Sequence, residues 1–155
     1  MKVDIIPITV PLDGIMPHHQ QTLIIPSHGQ TLIDITREVD VIVLEACVEI
    51  GLATVFVRHT SCSLLIQENA DPDVQRDLLA FFKRLVPEGD RLFVHTSEGP
   101  DDMPAHVKAA LTQTSLSIPI AEGRMLLGTW QGIYLFEHRR APHAREIVVH
   151  ISGDK

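Results

Sequence analysis

The segment from His95 to His106, HTSEGPDDMPAH, concentrates two imidazoles and three carboxylates within twelve residues. The acids are Glu98, Asp101 and Asp102, and a Gly-Pro pair separates the first from the other two. Imidazole together with carboxylate suits Zn²⁺, Mn²⁺ or Fe²⁺, whereas carboxylates alone suit Mg²⁺. The segment therefore predicts a divalent-metal site whose ligands are His95, Asp101, Asp102 and His106.

A plainer interpretation of the same segment stays open. Asp102 is also a good helix N-cap, Glu98 is typical of a solvated loop, and His95 is compatible with a hydrogen-bonded histidine of the core. The spacing matches no standard zinc motif such as H-E-x-x-H. The occurrence of all these groups around one turn favours a functional site over separate structural roles.

A second group of polar side chains, HTSCS at 59–63, follows an apolar, β-branched stretch. The hydroxyls of Thr60 and Ser61 can donate to phosphate oxygens or orient the imidazole of His59. The alternative is a turn in which these hydroxyls satisfy their own backbone. Cys62 is predicted to be a small buried residue rather than a nucleophile, and the G-x-S-x-G elbow of serine hydrolases is absent.

A third motif, GTWQG at 128–132, places two glycines and the only tryptophan around Gln131. Glycine within strand sequence marks a bulge or a close approach of backbone to a ligand. Trp130 is predicted to lie in the core or at a subunit interface rather than to form a ligand platform. Downstream lies the one basic cluster, which is large enough to hold a single phosphate: Arg139, Arg140 and Arg145.

Three helices are predicted from apolar periodicity and capping residues. Cys47 lies within the apolar pattern of the first helix and is predicted to be a buried thiol. The helices, with their caps, are about 36–50 (Asp34 or Thr36 as N-cap, Gly51 as left-handed C-cap), 72–85 (Asp71 as N-cap, Pro72 in the first turn) and 104–113 (Asp101 or Asp102 as N-cap).

Strands outnumber helices and do not alternate with them, which favours an α+β fold with a mixed or largely antiparallel sheet. A length of 155 residues and the absence of a linker predict a single compact domain over 1–155. The predicted strands are 2–10, 21–25, 52–58, 64–67, 91–95, 116–120, 124–130, 133–138 and 146–151.

Composition excludes several classes of function. The net charge of −7 leaves too few clustered cations for a nucleic-acid backbone. No apolar run approaches the roughly 20 residues that span a bilayer, so no membrane partner is expected. The amino terminus has no basic and apolar signal-peptide pattern, which predicts a cytoplasmic protein.

The segments HTSCSLLIQENADPDV, HTSEGPDDMPAHVKAAL and GTWQGIYLFEHRR together resemble the YjbQ-type family, often labelled secondary thiamine-phosphate synthase. The resemblance runs over nearly the whole chain. It implies an α+β fold, a homotrimer, and histidines near subunit boundaries that bind a divalent metal, Mg²⁺ or Zn²⁺. It also implies a weak ability to join a pyrimidine diphosphate to a thiazole phosphate, so the expected partner is a small phosphorylated molecule.

The resemblance and the residue patterns together lead to an assignment of roles. The catalytic residues would be His59, His95 and His106, with Thr60, Ser61, Gln131 and Arg139 on the substrate or its phosphates. Two alternatives remain: a non-catalytic metal- or anion-binding trimer, and a metal-assisted phosphate-ester hydrolase. The residues that match the family's motifs are His59, Glu68, Asn69, Asp71, His95, Glu98, Asp101, Asp102, His106, Trp130, Gln131, Glu137, His138 and Arg139.

Overall fold

The computed structural model describes residues 18–155, and the strand predicted at 2–10 lies outside this range. Within it, every strand pairing is antiparallel and the strands form two sheets, which confirms the α+β class. The elements in chain order are β1 (His18–Ser27), β2 (Thr31–Asp34), α1 (Thr36–Ala46), β3 (Ile50–Val57), β4 (Cys62–Glu68), α2 (Pro72–Leu85), α3 (Asp102–Leu111), β5 (Ser115–Ala121), β6 (Arg124–Met125), β7 (Gln131–Glu137) and β8 (His143–Asp154).

The two sheets pack around a shared apolar core. One sheet has the order β1-β8-β3-β5-β6 and the other β2-β7-β4, and α1 adds one of its faces to the same core. β7 is buried on both sides, because Ile133 and Leu135 join this core while Tyr134 and Phe136 belong to a second cluster that packs against α2. A strand covered on both faces is firmly placed, so the residues that leave its end at Glu137 are firmly placed as well.

Helix α1 ends four residues earlier than predicted. Ala46 is its last residue and Cys47 takes the left-handed conformation with φ 51°, a position predicted for Gly51. Gly51 instead lies inside β3, where a Cβ atom would come within 2.2 Å of the Ser152 carbonyl oxygen. The absence of a side chain at Gly51 therefore allows β3 and β8 to approach each other closely. Cys47 is exposed, so the prediction of a buried thiol was wrong.

The cap of α2 is the predicted one, since the Asp71 side chain accepts a hydrogen bond of 2.9 Å from the Asp73 amide. Two predicted strands were wrong. Residues 91–95 form no strand, because their apolar side chains Leu92 and Val94 are 85% and 94% exposed. The strand predicted over 124–130 is reduced to the two residues of β6. Among the residues described, no helix is long and apolar enough to cross a membrane.

Candidate functional site

His95, Asp102 and His106 converge on one point of the structure. The Nε2 atom of His95 lies 2.7 Å from Oδ2 of Asp102, and Nε2 of His106 lies 3.5 Å from the same oxygen. The two imidazole rings are 5.7 Å apart between centroids. One ligand atom from each of the three residues lies within 4.8 Å of the other two. Two imidazoles and one carboxylate thus face a common centre.

Local geometry explains why these three side chains meet. Asp102 and His106 are four residues apart in the first turns of α3, and residues at that spacing share one face of a helix. His95 arrives from the irregular segment that follows α2. The carboxylate of Asp102 is 2% exposed, whereas the rings of His95 and His106 are 42% and 33% exposed. The cluster is therefore closed behind the acid and open to solvent on the histidine side.

Arg139 holds the buried side of the cluster. Its Nη1 donates to Oδ1 of Asp102, its Nε donates to Oδ2 of Asp101 over 3.1 Å, and its Nη2 donates to the Glu98 carbonyl over 2.8 Å. The side chain is only 11% exposed. The guanidinium fixes the orientation of Asp102 and leaves Oδ2 to the histidines. This placement differs from the predicted phosphate-binding role of Arg139, because its donors are directed to carboxylates and a carbonyl.

Asp101, which was predicted to be a metal ligand, lies outside the group of three converging ligand atoms. Its Oδ2 also accepts the backbone N–H of Arg140 over 2.9 Å, and its side chain makes no capping hydrogen bond to α3. Burial alone would raise the pKa of this carboxyl, but the hydrogen bonds from Arg140 and Arg139 outweigh it and hold the pKa below its usual value. Asp101 thus anchors the arginine instead of joining the predicted metal ligands.

The turn at 59–61 supports His106 through a backbone atom. Nδ1 of His106 lies 3.1 Å from the Thr60 carbonyl oxygen. Because a carbonyl only accepts, Nδ1 carries the hydrogen of this bond, and Nε2 is the ring nitrogen that faces Asp102. No hydrogen bond of the Thr60 or Ser61 hydroxyl is present within residues 18–155, so their predicted phosphate contacts stay predictions.

The ring of His59 lies outside this cluster. Its Nε2 accepts the backbone N–H of Glu146 over 2.9 Å, and its Nδ1 faces Arg145 at 3.5 Å. Burial and the positive charge of Arg145 lower the pKa of His59. A neutral ring that accepts from an amide has a structural role here, and His59 is not among the residues whose ligand atoms converge with those of His95 and His106. Its predicted catalytic role stays a prediction.

A second charged cluster lies directly under the turn at 59–61. Arg145 donates to both carboxylate oxygens of Glu137 over 2.7 and 2.6 Å, and the Ser27 hydroxyl donates to the same group. Glu137 is fully buried and Arg145 is 2% exposed. Burial would raise the pKa of Glu137, but the hydrogen bonds of Arg145 and Ser27 lower it. With Arg140 also paired to Glu88, each arginine of the predicted phosphate cluster has an acidic partner.

A buried histidine beside this pair matched the family's motifs but received no predicted role. His138 is fully buried, its Nε2 lies 2.9 Å from the Ser63 hydroxyl, and its Nδ1 has no hydrogen-bond partner within the described part of the chain. Burial, reinforced by the charge of Lys108, lowers the pKa of His138 to about 3. Cys62 is buried as predicted, and burial raises the pKa of its thiol to about 12. Both groups are held in neutral form.

Gln131 lies at the other end of β7. Six residues separate it from Glu137, a span of about 20 Å in a strand. Its side chain accepts the Gly128 amide over 2.8 Å and lines a different pocket, of about 520 Å³, at the start of α1. Trp130 beside it is 64% exposed, so it is not a core residue. Within one chain, Gln131 is therefore separate from the histidine cluster, and its predicted contact with the substrate stays a prediction.

The donor set fits a transition metal better than Mg²⁺, since two imidazoles and one carboxylate are typical of zinc and non-haem iron sites. The surroundings fit as well. Metal-binding histidines usually donate their second N–H to a carbonyl or carboxylate, and metal-binding carboxylates are themselves hydrogen-bonded. The Thr60 carbonyl on His106 and the guanidinium of Arg139 on Asp102 have this arrangement.

Fold and cluster together define a small α+β protein with a two-histidine, one-carboxylate centre. Residues 20–154 match the family described as UPF0047 protein YjbQ-like. A UPF0047 protein from Synechocystis sp. is 55% identical over 136 residues, which cover 88% of this chain and 92% of the relative. YjbQ of Escherichia coli O157:H7 is 45% identical over 107 residues, 69% of this chain and 77% of that protein. The chain belongs to the YjbQ-like UPF0047 family, as its motifs predicted.

Solved structures show the same fold. A YjbQ/UPF0047 protein from Clostridium acetobutylicum is 39% identical with a TM-score of 0.76, covering 85% of this chain and 98% of that one. A conserved hypothetical protein from Thermus thermophilus is 36% identical with a TM-score of 0.74, covering 83% and 97%. A further neighbour, from Sulfolobus solfataricus, is described as a protein of unknown function. The family is thus defined by its fold and sequence.

Proposed function

We propose that His95, Asp102 and His106 bind a divalent transition metal and that the protein uses this centre on a small phosphorylated substrate. One observation carries the proposal: both histidines direct Nε2 to the same oxygen of a buried carboxylate whose other oxygen is held by Arg139. A simple structural ion pair needs only one histidine. A second imidazole, oriented from behind by the Thr60 carbonyl, is the arrangement expected of a ligand set.

The reaction that we propose is the one implied by the family resemblance, formation of thiamine phosphate from a pyrimidine diphosphate and a thiazole phosphate. A bound divalent metal would neutralise charge on the departing pyrophosphate. The chain itself would contribute orientation: Arg139 keeps Asp102 in place, and the Thr60 carbonyl keeps His106 in the tautomer with a free Nε2. His95, whose ring is the more exposed of the two, would position the leaving pyrophosphate at the metal.

Metal binding is the first test of the proposal. Metal-free protein titrated with Zn²⁺, Mn²⁺ and Mg²⁺ by calorimetry should bind one equivalent of Zn²⁺ per chain, and Mg²⁺ far more weakly. Asp102→Asn removes a ligand without changing the size of the side chain, and we expect a loss of zinc affinity of about a hundredfold or more. His28→Gln is the matched control, since His28 is an exposed histidine outside the cluster. Equal zinc affinity in both variants would refute the metal site.

Turnover separates the proposed reaction from its alternatives. Zinc- or manganese-loaded protein should form thiamine phosphate from the two precursors, and His95→Ala should abolish the rate while His28→Gln retains it. Stoichiometric zinc binding without turnover would indicate a non-catalytic metal-binding protein. Release of inorganic phosphate from simple phosphate esters, with no thiamine phosphate, would indicate a hydrolase. Either outcome would keep the metal centre and reject the proposed reaction.

A homotrimer also belongs to the proposal. Support comes from large apolar side chains that one chain leaves exposed, among them Trp130, Val94 and Ile50 at 64%, 94% and 68%. An exposed tryptophan in particular is typical of a subunit contact, where aromatic residues are enriched. Light scattering should give about 52 kDa, three times the 17.3 kDa of the chain. A mass of one or two chains would reject the trimer and leave the metal centre untouched.

A further inference from the structure

A small pocket adjoins the histidine cluster and shares His95 with it. Its volume is about 250 Å³, and its apolar walls are Phe93, Pro100, Met103 and Pro104. Met103 and Pro104 belong to the first turn of α3, directly after Asp102, while the opposite wall comes from the irregular segment that carries His95. The pocket therefore has a fixed side on the helix that holds two of the three proposed metal ligands.

The irregular segment is shaped to form the opposite wall. Asp90 begins a turn, because its side chain accepts the Leu92 amide over 2.9 Å and its carbonyl accepts the Phe93 amide over 3.1 Å. Beyond this turn Leu92 and Val94 face solvent, whereas Phe93 lines the pocket. Gly99, at φ +109°, closes the loop in a conformation that other residues rarely adopt. Side chains 92–95 thus alternate between solvent and the pocket, which Phe93 and His95 line.

The charge of the walls limits what the pocket can bind. No lysine or arginine lines it among residues 18–155, and its one carboxylate is that of Asp90, which already accepts the Leu92 amide. A phosphate placed there would lose water without gaining a cation, which is unfavourable. An anion belongs at the metal centre, and the pocket suits the uncharged part of the same molecule.

We infer that this pocket binds the uncharged body of the substrate, a single compact ring, while the attached phosphate group lies at the His95–Asp102–His106 centre. The inference rests on the proposed function, because that centre supplies the place for the phosphate beside the pocket. A volume of about 250 Å³ is below the range of pockets for drug-sized ligands, so it accommodates one ring and not two. In a condensation of two ring compounds, one reactant would occupy the pocket and the other would approach from the open side.

The test uses methionine as a reporter. In zinc-loaded protein carrying ¹³C-methyl methionine, the Met103 signal is assigned with Met103→Leu, and Met125, which lines the separate pocket at the start of α1, serves as the internal control. Titration with phenyl phosphate should shift Met103 and leave Met125 in place. Phenyl phosphate should bind about tenfold or more tightly than methyl phosphate, because burial of a ring in an apolar pocket is favourable.

A variant that fills the pocket gives an independent readout. In Met103→Trp the affinity ratio of phenyl to methyl phosphate should fall to about one, while the volume-conserving Met103→Leu should keep the ratio of the natural protein. Both ratios are measured within one folded protein, so a change in stability does not enter them. An unshifted Met103 signal at saturation, equal affinities for the two esters, or an unchanged ratio in Met103→Trp would each overturn the inference.

The same measurements distinguish a failure of the proposed metal centre from a failure of the proposed pocket. If the protein binds no zinc, the metal centre is lost, and the pocket is then titrated with uncharged phenol in metal-free protein. A shift of Met103 with phenol would retain the pocket as a site for a ring, whereas no shift would reject it. Zinc binding together with a silent Met103 would retain the metal centre and reject the pocket.

Discussion

Two acid–base clusters flank the point where β7 ends, and they are built from the same kinds of residue with opposite results. In one, Glu137 and Arg145 are 0% and 2% exposed and every oxygen of the carboxylate accepts a hydrogen bond. In the other, the carboxylate of Asp102 is equally buried, but two half-exposed imidazoles share its outer oxygen. The first cluster is closed and the second is open.

The difference shows what separates a structural ion pair from a candidate centre. A buried carboxylate whose hydrogen bonds all come from the protein has nothing left to bind, and its contribution is to the stability of the fold. A buried carboxylate that is held on one side only keeps an oxygen for a ligand, and exposed imidazoles beside it give a metal ion access. Variants at the two clusters should therefore affect different measurements.

The largest expected effect is on stability, at the closed cluster. Glu137→Gln leaves the guanidinium of Arg145 buried without an opposite charge, and breaking such a pair costs about 3–5 kcal/mol in the free energy of unfolding. Urea unfolding at neutral pH measures the loss. Zinc affinity of the folded protein should change little, because Glu137 does not contact the three proposed ligands.

Two comparisons keep this prediction testable. Arg145→Met combined with Glu137→Gln removes the unpaired charge, so the double variant should be more stable than Glu137→Gln alone. Arg58→Gln breaks the exposed pair with Glu146 and should cost less than about 1 kcal/mol. If Glu137→Gln lost no more than Arg58→Gln, the closed cluster would not have the structural role assigned to it.

The second effect concerns Arg139 at the open cluster. Arg139→Gln should lower zinc affinity by about tenfold to a hundredfold, the usual cost of losing a hydrogen bond that orients a ligand. Loss of a positive charge near a cation acts in the opposite direction, so Arg139→Lys is measured beside it. Lysine keeps the charge and loses the planar fork that spans Asp101 and Asp102.

Calorimetry with zinc distinguishes the orienting effect of Arg139 on Asp102 from the repulsion between its positive charge and the metal ion. If orientation dominates, both variants bind zinc more weakly, whereas tighter binding by Arg139→Gln would mean that charge repulsion dominates. Arg140→Gln is the matched control, since its side chain pairs with Glu88 and does not contact Asp102. It should leave zinc affinity within about threefold, well below the loss expected for an orienting residue.

The third effect is a dependence of stability on pH that arises at the buried His138. Burial lowers its pKa from 6.5 to about 3, with Lys108, Glu137 and Arg145 as the nearby charges. The unfolded chain takes up a proton below about pH 6.5 and the folded chain does not, so stability falls as the pH falls. The slope contributed by this one group is at most about 1.4 kcal/mol per pH unit.

Urea unfolding between about pH 7 and about pH 5 measures that slope. In His138→Asn the overall stability changes because of altered packing, but the slope should decrease by the contribution of one proton. His59, whose pKa is also lowered, contributes in the same direction and is common to both proteins. An unchanged slope in His138→Asn would mean that His138 is protonated in the folded protein.

The sequence predicted all three members of the open cluster, but it also grouped His59 with them, and the reason is physical. His95, Asp102 and His106 lie within twelve residues, so helical spacing and a single turn were enough to predict their meeting. His59 follows a strand, and which way a side chain points after a strand ends depends on the neighbouring strand, here through the Glu146 amide. Such a long-range contact leaves no signal in local spacing.

Two further predictions, the phosphate-binding arginine cluster and the end of helix α1, failed for a similar reason. The sequence shows that three arginines lie close together, but it does not show their ion-pair partners. Each acidic partner lies at another place in the chain: this holds for Arg139, Arg140 and Arg145. Cys47 and Gly51 show the same limit for the fold. A helix pattern that continues through Ile50 cannot reveal that Gly51 is needed for the close approach of β3 and β8.

The smallest expected effect tests whether the two ends of β7 are as separate in solution as they are within one chain. Gln131 is about 20 Å from Glu137, so Gln131→Ala should leave zinc affinity within about twofold of the natural protein. Asn69→Ala, at the same end of the sheet, is a matched control for local disturbance because its side chain contacts the Gln131 carbonyl. A tenfold loss of affinity in Gln131→Ala alone would contradict the separation. Since no rearrangement within β7 shortens that distance, the loss would require Gln131 of a second copy beside the cluster, and light scattering of the same samples would then have to show the oligomer.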